Sequence, residues 1–103
     1  MEAQIKKGIL EMCVLYMIRG EAMYGYDVMK RMRVYFPEVQ ESTFYAILRR
    51  LASDKSAEIV ISSEESGGPV RKYYKITRDG LNVLNRSIQS WEKIRSIVDQ
   101  IMT

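Results

Sequence analysis

The 103-residue chain contains no histidine and only one cysteine. It therefore lacks the side chain that most often serves as a general base and as a metal ligand. Cys13 cannot form an internal disulfide, and its place in an apolar run is typical of a small core residue. We find no glycine-rich phosphate loop and no recognisable pair of catalytic carboxylates. The sequence predicts a protein that is not an enzyme, with no catalytic residue, metal or cofactor.

Long hydrophobic runs are also absent. The longest, Met12 to Ile18, is far shorter than the ~20 residues that a membrane-spanning helix needs. The first residues are mostly polar and do not resemble a signal peptide. We therefore expect a cytoplasmic protein with no membrane contact.

The composition is that of a folded domain, with 47% hydrophobic and 28% charged residues. Its 16 basic and 13 acidic residues give a net charge of +3. This small excess is compatible with a nucleic-acid partner but does not require one. The positions of the positive charges are therefore more informative than their sum.

Two helices are predicted before residue 38. The first is expected to end at Gly20 and the second before Pro37, because the residue preceding proline avoids helical angles. We expect Tyr26 in the core. Gly25 either lets the backbone approach a phosphate at the start of the second helix or only turns the chain. The predicted apolar positions are Ile5, Ile9, Leu10, Cys13, Val14, Tyr16, Met17 and Ile18 in the first helix, and Tyr24, Val28, Met32 and Tyr35 in the second.

The segment EVQESTFYAILRRL predicts a third helix with one apolar stripe. Ser42 or Glu41 is expected to cap its start. The stripe consists of Phe44, Ile47, Leu48 and Leu51, and the residues expected to face outward are Thr43, Ala46, Arg49, Arg50 and Ser53, with Tyr45 at the boundary.

The spacing then changes to that of β-strands. A β-branched run at Ile59 to Ile61 and an alternating segment from Val70 to Ile76 predict a two-stranded hairpin. The intervening SSEESGGP is too long for a two-residue turn. Three helices followed by a hairpin is the order of a winged helix-turn-helix. The predicted fold class is therefore α+β, mainly helical, with a hairpin wing.

A long last helix is predicted from a Thr77 cap to Met102, with Gly80 weakening its start. About 26 residues would extend some ~39 Å, too long for this domain to cover alone. We therefore expect a homodimer through this helix. Residues 1–76 would form the winged domain and residues 77–103 the dimerisation helix, within one structural unit. The apolar row is Leu81, Leu84, Ile88, Trp91, Ile94, Val98 and Ile101.

Basic and short polar residues on the third helix suggest a DNA-binding face. A helix in the major groove needs short polar groups near its start and cations that reach phosphates or guanine edges. Arg71, Lys72 and Lys75 are expected at or near the hairpin tip, opposed by Glu64 and Glu65 in its loop. An arginine pair on a helix is also common where the face is merely solvated. The candidate residues on the third helix are Ser42, Thr43, Arg49 and Arg50.

The ordered motifs YGYDVMKRM, ESTFYAILRRL, SGGPVRKYYKIT and RDGLNVL resemble the PadR family of bacterial transcriptional regulators. The resemblance spans roughly Ile9 to Trp91 and is closest to the small subfamily with one C-terminal dimerisation helix. The chain departs from the family pattern after Leu51. Family members usually have a glycine just after the recognition helix, whereas this chain continues with SDKSAEIVI from Ser53 and has no glycine there. Lys55 or Ser56 is therefore expected to occupy the turn in place of that glycine, with left-handed backbone angles if the turn requires them.

The resemblance implies a homodimeric repressor of an inverted-repeat operator in double-stranded DNA. It places Ser42, Thr43, Tyr45 and Arg49 on the recognition helix, Tyr24 near a phosphate, and Arg71 and Lys72 in the wing. Some small members have a flat cavity at the dimer interface, which implies that Trp91 stacks a planar aromatic effector; the alternative is that Trp91 only packs the dimer interface. The expected effector and interface residues are Ile88, Trp91, Ile94 and Arg95, and the positive charge of Arg95 disfavours cationic ligands.

An alternative is a winged-helix module that binds a protein or a small molecule and has no DNA function. In that case the hairpin would pair with a partner and the basic residues would be solvated. Competition by bulk duplex DNA at low salt separates the two hypotheses.

Overall fold

The computed structural model describes residues 3–62 and 68–103, and the side chains from residue 6 onward within them. The predicted loop residues 63–67, including Glu64 and Glu65, lie outside the described residues. The elements follow in the order α1 Ala3–Met17, β1 Met23–Tyr24, α2 Gly25–Tyr35, α3 Glu41–Ser53, β2 Ala57–Ser62, β3 Arg71–Ile76 and α4 Arg78–Ile101. This arrangement confirms the predicted winged helix-turn-helix with a long last helix.

The sheet has three antiparallel strands in the order β1-β3-β2, one more than the predicted hairpin. The added strand, β1, pairs Met23 with Tyr74 and Tyr24 with Tyr73. Two residues are too few to show strand periodicity, so the sequence pattern did not reveal it. In the hairpin, Arg71 lies near the tip, whereas Lys75 pairs with Glu58 near the base. The expectation that Lys75 lies near the tip was wrong.

The core lies where α1, α2 and α3 meet the sheet and the start of α4. The predicted stripe of α3 is buried in full. The predictions that Tyr26 and Tyr35 lie in the core were wrong. The buried face of α2 consists of Gly25, Val28, Met29 and Met32. Tyr26 lies off that face, and Tyr35, the last residue of the helix, is 75% exposed.

Helix α1 buries one side against the core and leaves the other partly open. Tyr16, expected inside, is exposed, and the Arg19 guanidinium lies 3.5 Å from its ring centroid. Cys13 packs against the core, as predicted. Partial burial raises the pKa of the Cys13 thiol, which favours the protonated form over the thiolate.

The turn into α3 is organised by Arg33 of α2. Its guanidinium donates hydrogen bonds to the carbonyl oxygens of Val39 (3.1 Å) and Pro37 (3.2 Å) and pairs with Glu41 at 3.5 Å. The N-cap of α3 is Gln40, whose side chain makes no capping bond. The expected cap at Ser42 or Glu41 was wrong, because the helix begins earlier.

The turn after α3 has the left-handed residue that the missing glycine led us to expect. Lys55 has φ 62°, and its amide donates to the Ala52 carbonyl at 3.1 Å. The Ser56 amide donates to the Leu51 carbonyl at 2.9 Å. These two bonds form a Schellman motif, which satisfies carbonyls at the helix end.

The start of α4 is attached to this turn. The Thr77 hydroxyl donates to the Lys55 carbonyl at 2.6 Å, and the Thr77 amide donates to the Ser56 carbonyl at 3.0 Å. Thr77 also caps α4, as predicted, by accepting the Gly80 amide at 3.0 Å. Gly80 is buried, and a Cβ there would overlap the Ser56 carbonyl oxygen. The glycine therefore permits close contact between α4 and the turn.

We predict that Gly80→Ala destabilises the fold by about 2 kcal/mol or more, because backbone atoms must move to accommodate the methyl group. Urea unfolding measures this change. Gly20→Ala is the control, since a Cβ at Gly20 meets no atom within 4 Å. Equal stability of the two variants would contradict the close contact assigned to Gly80.

Candidate nucleic-acid interface

The exposed side of α3 carries short polar residues and one arginine. Its four buried apolar residues fix which side faces outward. Ser42, Thr43, Ala46 and Arg49 are all exposed on that side. Small side chains near the helix start leave room for close approach to base edges, and Arg49 can reach a guanine or a phosphate.

A concave site of about 220 Å³ lies beside Arg49. Arg49 and Lys72 supply positive charge, and the first turn of α2 supplies backbone amides that favour an anion. Three elements, α2, α3 and β3, therefore converge on one place suited to a phosphate. The lining residues are Tyr24, Gly25, Tyr26, Tyr45, Arg49, Lys72 and Tyr74.

Gly25 lies at the base of this site because Tyr74 packs against it. A Cβ at Gly25 would lie 3.1 Å from the Tyr74 ring atom Cε1 and 3.5 Å from Leu48 Cδ1. Such a Cβ would lie closer to Tyr74 than ordinary van der Waals packing allows. This packing explains the small residue at the start of α2.

Aromatic contacts hold the wing beside α2. The Tyr24 ring lies 5.7 Å from Tyr73 and 6.0 Å from Tyr26, centroid to centroid. The Arg71 guanidinium lies 5.2 Å from the Tyr24 ring centroid, within cation–π range. Arg71 is thereby held near the site while its charge stays available to a phosphate.

Tyr45 contributes a hydrogen-bond donor to the same site. Partial burial and the nearby Glu41 carboxylate raise the pKa of its phenol above the usual value. The hydroxyl therefore stays protonated at neutral pH and can donate to an anionic oxygen.

Arg49 and Arg50 lie in different surroundings despite being adjacent. The Arg50 guanidinium forms an ion pair with Glu11 of α1, and both side chains are partly buried. Beside this pair is a second concave site, of about 500 Å³. Its cations are Lys6, Lys7 and Arg50, and the rest of its lining is Leu10, Thr43, Ala46 and Ile47.

Sequence reasoning missed Tyr26 and Tyr74 in the first concave site. It counted Lys6 and Lys7 only as positive charge near the amino end and did not place them beside α3. The lysines are a visible charge pair, but their nearness to α3 depends on how α1 packs. In the sequence, Tyr74 can be recognised only as one residue of the alternating strand pattern. These contacts join residues that are far apart in the sequence, so local spacing carries little signal for them.

Helix α4 presents a separate apolar surface. A groove of about 700 Å³ runs between α1 and α4, lined in part by Met12, Trp91 and Ile94, with Arg86 at its side. Ile88 instead packs on the core. Arg95 lines a different shallow site with Glu92 and Asp99. The structure therefore brings Trp91 and Ile94 together but places Ile88 and Arg95 elsewhere.

No helix in the described ranges, 3–62 and 68–103, is both long and apolar enough to cross a membrane. Across the same residues, no three side chains of the metal-binding types are grouped as an ion site would require.

Comparisons with known proteins agree with this architecture. A family model described as the transcriptional regulator PadR-like family matches residues 14–86. A PadR-like transcriptional regulator from Bacillus cereus is 35% identical, with a TM-score of 0.83 over 98% of each chain. A Streptococcus transcriptional regulator is 28% identical, with a TM-score of 0.86 over 99% of this chain and 100% of that one. An uncharacterized protein of Lysinibacillus sphaericus is 30% identical and covers 97% of this chain and 94% of its own length.

The family match spans the sheet, α2, α3 and the first part of α4, which together hold the basic site beside Arg49. It confirms the resemblance seen in the sequence motifs. Members of the family are transcriptional regulators and not enzymes. The chain belongs to the PadR-like family of DNA-binding transcriptional regulators.

Proposed function

We propose that the protein is a homodimeric repressor that binds an inverted-repeat operator in double-stranded DNA. The observation that carries this proposal is the concave site where Arg49, Lys72 and the first turn of α2 converge. A regulator of this kind works in the cytoplasm, where its DNA is.

The exposed side of α3 would lie in the major groove, with Ser42, Thr43 and Arg49 nearest the base edges. Phosphates would be held around the groove by the phenols, the wing cations and the amides of α2. Arg50 would contribute less, because Glu11 offsets its charge. The proposed phosphate contacts are Tyr24, Tyr45, Arg71 and Lys72.

Homodimer formation is supported by the unburied apolar row of α4. Trp91, Ile94, Val98 and Ile101 are 41–76% exposed. Burying such side chains stabilises an interface by about 25 cal/mol per Å² of apolar surface. A second α4 packed along this row would cover it, and a twofold axis would present two α3 helices to successive major grooves.

An effector site is supported by the groove between α1 and α4. Trp91 offers a flat ring for stacking, and the lining residues that the structure describes include Arg86 and no carboxylate. An uncharged or anionic planar aromatic compound therefore fits better than a cation. Its binding would alter the angle between subunits, so that the two α3 helices would no longer match successive grooves.

We predict that Arg49→Ala lowers operator affinity by about 1–3 kcal/mol and relaxes base preference, since arginine reads guanine with two hydrogen bonds. Arg71→Ala should weaken binding to all sequences alike. Selection from a random duplex pool identifies the operator, and fluorescence anisotropy on the selected duplex gives the affinities. Lys93→Ala, an exposed change on α4 outside the apolar row, is the control. Unchanged binding by both arginine variants would eliminate the proposed face.

We predict a dimer at micromolar concentration and a monomer after Val98→Glu, because a carboxylate buried in an apolar interface is costly. Analytical ultracentrifugation distinguishes the two states. Lys93→Glu places the same charge outside the row and should leave the dimer intact. A monomeric wild-type protein would rule out the proposed arrangement.

We predict that a planar aromatic carboxylate quenches the fluorescence of Trp91, the chain's one tryptophan, and releases the selected duplex. Titration followed by emission and anisotropy measures both effects. An aliphatic carboxylate of equal charge is the matched control. Quenching without release would separate ligand binding from regulation, and the absence of quenching would remove Trp91 from the effector site.

A further inference from the structure

The two concave sites lie on opposite flanks of the exposed side of α3. Successive helix residues are about 100° apart around the axis. Tyr45 and Arg49 therefore border one flank, Thr43 and Arg50 border the other, and Ser42 lies between them. Arg49 and Tyr45 line the first concave site, whereas Thr43 and Arg50 line the second.

A helix in the major groove has a phosphate backbone on each side, because the groove is only about 12 Å wide. The contacts proposed above account for one flank, where Arg49 and the wing supply the cations and α2 supplies backbone amides. The second flank needs cations of its own if α3 is to be held from both sides. In the second concave site these come from α1.

Lys6 and Lys7 are held at this flank by the residues one turn further along α1. Leu10, four residues after Lys6, is buried in the core. Glu11, four residues after Lys7, is paired with Arg50 of α3. Since residues at i and i+4 share a helix face, these two anchors place both lysines beside α3.

The lysine charges are also available to a ligand. Within the described part of the chain, neither Lys6 nor Lys7 has a carboxylate at ion-pair distance. The Arg50 charge is offset by Glu11, so the two lysines supply the net positive charge of this site.

We infer that Lys6 and Lys7 form a second phosphate-binding site, which contacts the DNA strand on the side of the groove opposite the wing. This inference rests on the proposed DNA-binding function. Phosphate contacts position a protein without reading sequence. The lysines therefore add affinity and fix the seating of α3, while base preference stays with α3 itself.

The test is the salt dependence of binding to a duplex of about 30 base pairs that carries the selected operator, measured by anisotropy between about 50 and 200 mM NaCl. Lys6→Gln combined with Lys7→Gln should reduce the slope of log affinity against log salt by about 0.9 for each phosphate that the variant no longer neutralises. The dissociation constant at ~0.1 M salt should rise roughly tenfold or more. A repeated selection should return the same bases.

Two variants control for structure and for bulk charge. Lys6→Arg with Lys7→Arg keeps both charges and should preserve the slope. Lys93→Gln removes one charge from the far side of α4 and should change nothing. Circular dichroism confirms that each variant is folded.

The outcomes separate the two proposals. A wild-type protein that binds no duplex at low salt overturns the proposed function and this inference together. A wild-type protein that binds with a steep slope, unchanged in the Lys6→Gln, Lys7→Gln variant, overturns this inference alone. A changed base preference in that variant would also overturn it, because phosphate contacts carry no sequence information.

Discussion

The relative orientation of α3 and α4 depends on the left-handed turn at Lys55. Its carbonyl accepts the Thr77 hydroxyl, and the neighbouring Ser56 carbonyl accepts the Thr77 amide. Gly80 lets the first turn of α4 approach the Ser56 carbonyl closely. The end of the proposed DNA-reading helix and the start of the proposed dimerisation helix therefore share one small set of hydrogen bonds. A rotation of α4 would be transmitted to α3 without a flexible linker between them.

Charge placement matters more than the net charge of +3. Arg49 and Arg50 are neighbours, but Glu11 pairs with only one of them. Among the described residues, basic side chains with no carboxylate at ion-pair distance thus lie on both flanks of α3. Lys72 lies on one side, and Lys6 and Lys7 lie on the other. A surface with this distribution suits a groove bordered by two phosphate backbones better than a broad basic patch would.

Much of the fold could be predicted because its signals are local and repeated. The α3 stripe at Phe44, Ile47, Leu48 and Leu51 has helical spacing. The absence of the family's usual glycine after α3 predicted the left-handed residue at Lys55. What failed depended on contacts between distant segments. The two-residue strand β1 has no period of its own, and Tyr26 and Tyr35 are apolar enough for a core that does not extend to them.

The candidate site was predictable only in part, for the same reason. Residues of α3 could be assigned to its outward side from spacing alone, and Arg71 and Lys72 could be assigned to the hairpin. The roles of Gly80 and Tyr74 could not be predicted, because they depend on contacts with Ser56 and Gly25, which are far away along the chain. Strand β1 has a mechanical consequence. It pairs Tyr24 with Tyr73, so a displacement of the wing would move the start of α2 with it.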